Sequence, residues 1–173
     1  AIYNGNSTYS GSWDSESHFI GEEYTLNGGF NTFVGTSKIP RGWKAVKFGA
    51  LDGKDTLVKK VGKASIQVTG AVATTKTLTQ TLNLGGAAGD PFAFSYWVKA
   101  IKVPVTCQAQ VLFYDGTSLK GKRTVGCPTA ATYNWKQMKA RFTAPAAYTK
   151  VVIKFTVAGP GGSVWFDEVS LIR

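Results

Sequence analysis

The sequence has few of the residue types on which most enzymes depend. Its 173 residues include one histidine, His18, and ten acidic side chains. General acid–base and nucleophilic catalysis need a histidine or cysteine beside a partner, or two carboxylates that face one bond. Asp167 and Glu168 are adjacent and would point to opposite sides of a strand. With no phosphate-binding loop or nucleotide fingerprint either, the sequence predicts a protein that is not an enzyme.

Long hydrophobic runs are also missing. No apolar stretch approaches the roughly 20 residues that a membrane helix needs, so no membrane span is predicted. The 43% content of hydrophobic residues is ordinary for a globular protein, and the length suits one domain with a sizeable core. No nucleic-acid recognition motif is present, so nucleic acid is not an expected partner.

Basic residues are absent from the start of the chain. Residues 1–25 carry a charge of −4, from Asp14, Glu16, Glu22 and Glu23, whereas the remainder carries all 20 basic residues and six acids, which gives +14. We interpret residues 1–23 as an acidic arm on a basic body that begins at residue 24. A large positive body indicates an anionic partner, such as an acidic polysaccharide or an acidic protein segment.

Short runs rich in Val, Thr, Tyr and Phe, separated by Gly, Pro, Asp and Asn, predict an all-β fold. No stretch shows a sustained helical period. Asp52-Gly53-Lys54-Asp55 is expected to be a solvated turn. About ten strands at this spacing indicate a sandwich or barrel. The candidates are 23–26, 43–51, 65–69, 76–84, 92–101, 103–114, 122–127, 135–142, 150–157 and 163–172.

The two cysteines, Cys107 and Cys127, lie in neighbouring strands of a predicted hairpin. If residues 115–119 form its loop and Tyr114 faces Lys120, then opposed positions sum to 234, and the two cysteines face each other. We predict a disulfide, with two buried free thiols as the alternative. A disulfide implies an oxidising compartment, and a chain that begins at Ala1 is what signal-peptide removal would leave, as would any shortened chain. We therefore expect a secreted or cell-surface protein.

Five motifs occur in an order that identifies a resemblance. They are Asn27-Gly28-Gly29-Phe30, Pro40-Arg41-Gly42-Trp43, residues 62–68, residues 94–100 and residues 164–171. Over about residues 24–173 the chain resembles the galactose-binding-like β-jelly-roll carbohydrate-binding modules of families 4, 9, 16 and 22. The resemblance implies a jelly-roll β-sandwich of two antiparallel sheets, here with an extended N-terminal arm. It also implies binding of polysaccharides or other glycans.

The last strand has one irregularity in its alternation, at Asp167-Glu168, which predicts either a bulge or an inward carboxylate. A buried carboxylate needs a cation, a metal or N–H donors as partners. The resemblance implies a structural calcium held by Asn31 and Asp167, with carbonyls near Asn27 and Lys63. Asn31 stands where the family has glutamate, which removes one charge. The alternative is that Asp167 accepts backbone N–H bonds or pairs with a lysine.

Aromatic, amide and cationic side chains at outward positions form a candidate glycan platform, because sugars stack on rings and polar groups bind hydroxyls. The cations would favour acidic glycans. The alternative for each aromatic residue is a place in the core. The candidates, taken as one outer face, are Trp97, Gln108, Gln110, Tyr114, Arg141 and Trp165.

Two functions therefore remain open. One is a non-catalytic extracellular carbohydrate-binding module. The other is a structural subunit of an extracellular filament, sheath or surface layer, assembled when residues 1–21 of one copy add to a neighbouring copy. The opposite charges of arm and body would help that assembly, although an arm folded back on its own domain would use them equally.

Overall fold

The computed structural model describes residues 21–173 and contains eight strands and no helix in that range. Predictions about residues 1–20, including His18 and most of the arm, lie outside the described residues. The strands are β1 Lys44–Val46, β2 Gly53–Asp55, β3 Ser65–Leu82, β4 Pro91–Ile101, β5 Thr106–Asp115, β6 Ser118–Gly126, β7 Tyr133–Thr143 and β8 Lys150–Ile172. No helix in this range has the length and apolarity to cross a membrane.

The long strands β3 and β8 pair with each other along most of their length and contribute to two sheets. The β4 sheet has the order β2-β3-β8-β4-β7 and uses residues 65–69 of β3 and 163–172 of β8. The β5 sheet has the order β1-β3-β8-β5-β6 and uses residues 75–82 and 150–158 of the same two strands. All pairings are antiparallel. The prediction of an all-β antiparallel sandwich is confirmed.

The passage from one sheet to the other needs a local break in the β3–β8 register. The pairing shifts between Thr69 and Ala71 and again between Ala71 and Thr75. On β8 the break falls at Gly159, whose φ is +80°. A Cβ at Gly159 would lie 2.8 Å from the Cβ of Val105, so glycine is required there by both backbone and space. Such bulges bend a strand and re-aim its side chains.

The core follows the period-two alternation of apolar residues along the strands. Phe92, Phe94, Tyr96 and Val98 of β4 are buried, and the matching residues of β5 and β8 face them. The Phe155 and Phe166 rings, from the two halves of β8, lie 4.5 Å apart between the sheets. The other inward residues of the two strands include Ala109, Val111, Phe113, Val151, Ile153 and Val157.

Several element predictions are wrong in detail. The candidates at 65–69 and 76–84 form one bent strand, as do those at 150–157 and 163–172, because the bulges bend these strands without ending them. Residues 23–26 make only an isolated bridge, Glu23 to Ile172. Asp52 is not a solvated turn residue: it is buried, and its carboxylate binds the Lys76 ammonium at 2.6 Å.

The Cys107–Cys127 disulfide is confirmed, with a Cα–Cα distance of 5.4 Å. The predicted five-residue loop is wrong, because Asp115 pairs with Ser118 and Tyr114 with Leu119. A bulge between Phe113 and Tyr114 then restores the register in which opposed residue numbers sum to 234. The cysteine pairing therefore follows from the register that was predicted, although the turn that produces it differs.

We predict that loss of this disulfide lowers the free energy of unfolding by about 3 kcal/mol, because the bridge closes a loop of 20 residues in the unfolded chain. Urea unfolding with and without dithiothreitol measures the change. The C107A/C127A variant is the control and should be indifferent to the reductant. A wild-type midpoint that does not move on reduction would contradict the prediction.

Candidate functional site

The six residues predicted to form one glycan platform lie on two opposite faces. Gln108, Gln110 and Tyr114 face outward from the β5 sheet, opposite Thr156, Lys154 and Lys150 of β8. The other three candidates face outward from the β4 sheet, where Trp97 pairs with Gln137, Arg141 with Ala93 and Trp165 with Lys99. The prediction of a single face is wrong, because strand alternation separates inward from outward positions but does not say which sheet a strand joins.

The outer face of the β4 sheet is partly covered by residues 55–63. Trp165 is buried, and its Nε1 donates a hydrogen bond to Asp55 Oδ2 at 2.8 Å. The Lys60 ammonium lies 4.1 Å from the centre of the half-buried Trp97 ring. These contacts turn both tryptophans towards the protein's own loop, so they are poor candidates for stacking on a sugar. The sequence contains no signal for this cover, because the loop residues are far from both strands along the chain.

Asp167 is fully buried beneath the same loop. Its Oδ2 accepts hydrogen bonds from the backbone N–H groups of Lys60 at 2.8 Å and Val61 at 3.3 Å, and its Oδ1 accepts one from Glu168 at 2.9 Å. Burial raises the pKa of the Asp167 carboxyl to about 6, although these three N–H bonds oppose the rise. The irregularity at residues 167–168 is a bulge, because Glu168 has a φ of +47° and the register against β4 shifts there.

The Asn-Gly-Gly-Phe segment forms a turn that is held by its own amides. Asn27 Oδ1 accepts the N–H groups of Asn31 at 2.9 Å and Thr32 at 3.1 Å, and Asn27 Nδ2 donates to the carbonyls of Thr32 and Arg41. Asn31 Oδ1 accepts the Lys63 N–H at 2.6 Å. Asn31 therefore ties this turn to the end of the loop that covers Asp167.

Calcium prefers six to eight oxygen ligands, several of them charged. Of the four predicted residues Asn27, Asn31, Lys63 and Asp167, only Asp167 carries a negative charge, and the side-chain oxygens of the set already accept backbone N–H groups. Within residues 21–173 no group of three or more His, Cys, Asp or Glu side chains is placed to hold a metal ion. The donor set fits N–H partners better than a cation, and calcium stays a prediction.

The outer face of the β5 sheet has a polar, basic row at Gln110 and Lys154, and an apolar pair, the buried Leu112 and the half-buried Val152, between that row and the Tyr114–Lys150 pair. The Tyr114 ring lies 5.0 Å from the Lys150 ammonium, and Gln110 Nε2 donates to Thr124 Oγ1 at 3.2 Å. Lys154 pairs with Gln110 on one side and with Thr79 on the other, and Thr79 pairs with Lys44. The result is a row of lysine, threonine and glutamine side chains, with a partly exposed tyrosine ring beyond the Leu112–Val152 pair.

Several carboxylates in the described range are used in ion pairs that stabilise the fold. Asp52 binds Lys76, Asp90 lies 3.4 Å from Arg173, and Asp115 lies 3.7 Å from Lys120. The side chain of Tyr148 donates a hydrogen bond to Asp90, which lowers the pKa of that carboxyl. Each of these acids has a cation as its partner, and this arrangement is typical of a structural role.

No protein-family model matches this chain, and no curated protein matches it. Solved structures do. The chain is similar to the module TmCBM61, determined with β-1,4-galactotriose, with a TM-score of 0.63 at 17% identity over 88% of this chain and 99% of that one. It is also similar to the CBM22-1 xylan-binding domain of Xyn10C from Paenibacillus barcinonensis, with a TM-score of 0.61 at 14% identity over 90% of this chain and 97% of that one.

A further similar structure is the enzymatically active domain of bacteriophage CBA120 tailspike protein 4, with a TM-score of 0.67 at 17% identity. The match covers 86% of this chain but only 21% of the tailspike chain. At these identities the similarity is one of fold. The fold predicted from the five motifs, the jelly-roll β-sandwich of carbohydrate-binding modules, is confirmed.

We predict that Asp167 makes the protein less stable at neutral than at acidic pH. Because its pKa of about 6 lies above the ordinary value of 3.8, the folded chain binds more protons than the unfolded chain between these values. The Asp167 contribution should therefore fall by up to about 3 kcal/mol as the pH rises from 4 to 7. Chemical denaturation of the wild type and of D167N in chelator, across this range, measures the difference in slope.

The same titration tests calcium. A bound cation would favour the ionised carboxylate, so millimolar calcium at pH 7 should raise the wild-type melting temperature and flatten the slope, with no effect on D167N. Identical wild-type curves in calcium and in chelator would contradict the calcium prediction. A wild-type slope equal to that of D167N would contradict the assignment of the raised pKa.

Proposed function

We propose that this chain is a non-catalytic carbohydrate-binding domain that binds an acidic glycan on the outer face of the β5 sheet. The observation that carries the proposal is the surface made by Gln108, Gln110, Tyr114, Lys150 and Lys154 on the two adjacent strands β5 and β8. A sugar ring can stack its C–H face on the tyrosine while the amides and ammonium groups bind hydroxyls and acidic groups.

The charges on this face support an acidic ligand. Lys44, Lys150 and Lys154 occupy outward strand positions on β1 and β8, and none of their direct cross-strand partners is a carboxylate. Lysine ammonium groups form charge-assisted hydrogen bonds with carboxylates and sulfates, which a neutral glycan cannot offer. A uronate-containing or sulfated polysaccharide therefore fits the face better than a neutral one. The binding of galactotriose by TmCBM61 supports glycan binding through the fold alone.

We predict that Tyr114→Ala weakens glycan binding about tenfold or more, since a central aromatic contact is commonly worth more than 1 kcal/mol. Lys150→Gln and Lys154→Gln should weaken binding to acidic glycans and leave binding to neutral ones unchanged. The measurement is a glycan array followed by calorimetry on the strongest ligand.

Lys139→Gln is the matched control, because Lys139 pairs with Ser95 on the opposite face of the sandwich. Its affinity should equal that of the wild type. An array with no retained glycan, or a ligand that K139Q loses and Y114A keeps, would overturn the proposal.

A second candidate function is a subunit of an extracellular filament, sheath or surface layer. The contrast between the −4 charge of residues 1–25 and the +14 charge of the remainder favours it, because an acidic arm can add to the basic body of a neighbouring copy. Such head-to-tail contacts produce open assemblies. The two functions are compatible, since a filament subunit can also bind glycans.

For this second function we predict particles much heavier than the 18.5 kDa of one chain, with a mass that grows with concentration and shrinks in high salt. Light scattering of the full chain and of a D14R/E16R variant measures this. The variant should remain a monomer. A wild type that is monomeric at every concentration would exclude the subunit function.

A further inference from the structure

At one lateral edge of the sandwich the two sheets end in β6 and β7, each of which pairs on one side only among the described strands. Within residues 21–173, β6 pairs only with β5 and β7 only with β4. The two strands belong to different sheets and lie against each other at this edge. Strands with a free side present backbone N–H and C=O groups to any segment that can pair with them.

A cavity of about 390 Å³ opens at this edge. Its apolar wall includes Phe113 and Phe142, whose rings meet edge to face at 6.2 Å, and Pro145. The cavity therefore combines an aromatic wall with the unpaired side of two strands. Its remaining lining residues are Lys122, Arg123, Arg141 and Thr143.

The charged lining is entirely positive. Arg123 opposes Val111, which faces the core, so Arg123 occupies an inward position of the edge strand, where it stays exposed at the rim. Arg141 opposes Ala93 on β4, and Lys122 opposes Leu112 on β5. An inward position such as that of Arg123 protects an edge from uncontrolled strand pairing, and a cluster of cations selects a segment that brings acids with it.

We propose that this edge, with the cavity between β6 and β7, is the docking site of residues 1–20 of the same chain. That segment has no Lys or Arg and carries Asp14 and Glu16. In an extended strand these two acids would share a side, and Trp13 would point to the other side. A segment with acids on one side and an aromatic ring on the other matches a cavity with cations and an aromatic wall.

The position at which the described chain begins supports docking within one molecule. The Glu22 N–H donates a hydrogen bond to the Arg173 carbonyl, and the Arg173 guanidinium lies 3.4 Å from the Asp90 carboxylate. The Asp90 carbonyl accepts the N–H of Ala144, which precedes the cavity residue Pro145. The chain thus enters the domain at the end of the sandwich where the cavity lies. Twenty residues span up to roughly 66 Å when extended, so the tether permits docking at a high effective concentration.

The experiment uses endoprotease cleavage after Glu16 in the native full-length chain, followed by mass spectrometry. A docked segment resists cleavage. Arg123→Glu should therefore speed the release of residues 1–16 by about tenfold or more, and so should D14R. The charge-swapped D14R/R123E variant should return towards the wild-type rate, and this rescue distinguishes a direct pairing from a loss of structure.

Lys54→Glu is the matched control, because Lys54 is exposed on β2, at the edge of the β4 sheet opposite β7. It should be cleaved at the wild-type rate. Equal rates for the wild type and R123E, or a D14R/R123E variant as fast as either single variant, would overturn the proposal. Protection that appears only in species heavier than 18.5 kDa would place the segment of a second copy in the cavity and would also overturn it.

Discussion

The antiparallel pairing of β3 with β8 is the constraint on which the rest of the structure depends. Each strand crosses from one sheet to the other, so the two sheets share a pair of covalently continuous strands at their centre. The register breaks near Ala71 and Gly159 let this pair bend without losing its hydrogen bonds on either side. Every other strand joins one half of this pair, directly or through a neighbour, and the core fills the angle between the halves.

This bend gives the molecule two outer faces of different character. Residues 55–63 lie over the face of the β4 sheet, where the Asp167 carboxylate binds the backbone of that loop from beneath. Covering a carboxylate in this way costs stability at neutral pH, as its raised pKa indicates. The face of the β5 sheet has amides, lysines and the Tyr114 ring at its outward positions, and it is the better surface for a ligand with hydroxyl and acidic groups.

We propose that the excess of positive charge binds two different anionic partners. Lysines on the β5 sheet would bind an acidic glycan, and the Arg123–Arg141 edge would bind the acidic segment at residues 1–20. These are separate parts of the surface: Lys150 and Lys154 lie on the central strand β8, whereas both arginines lie on strands that end a sheet. Because the two surfaces are separate, the domain could bind residues 1–20 at the β6–β7 edge and a glycan on the β5 sheet at the same time.

Much of the fold could be predicted because its determinants are local. Period-two alternation along β4, β5 and β8 separates the inward residues from the outward ones. The register in which opposed residue numbers sum to 234 paired Cys107 with Cys127, even though the predicted turn was wrong. The adjacent acids at 167 and 168 predicted either a bulge or an inward carboxylate, and the structure has a bulge there with Asp167 buried. These features depend on neighbours along the chain or across one hairpin, where spacing determines geometry.

The candidate site could not be predicted in the same way. Alternation separates inward from outward positions but does not say which sheet a strand joins, so Trp97 and Tyr114 were placed on one face although they lie on opposite ones. The Lys60 contact with Trp97 and the N–H donors of Asp167 join segments more than 30 residues apart. The sequence by itself determined the class of fold, the disulfide and the excess of cations. Only the tertiary structure decided which aromatic residues are covered, which partner holds each buried charge and which of the described strands end a sheet, because these depend on contacts between distant segments that no local pattern encodes.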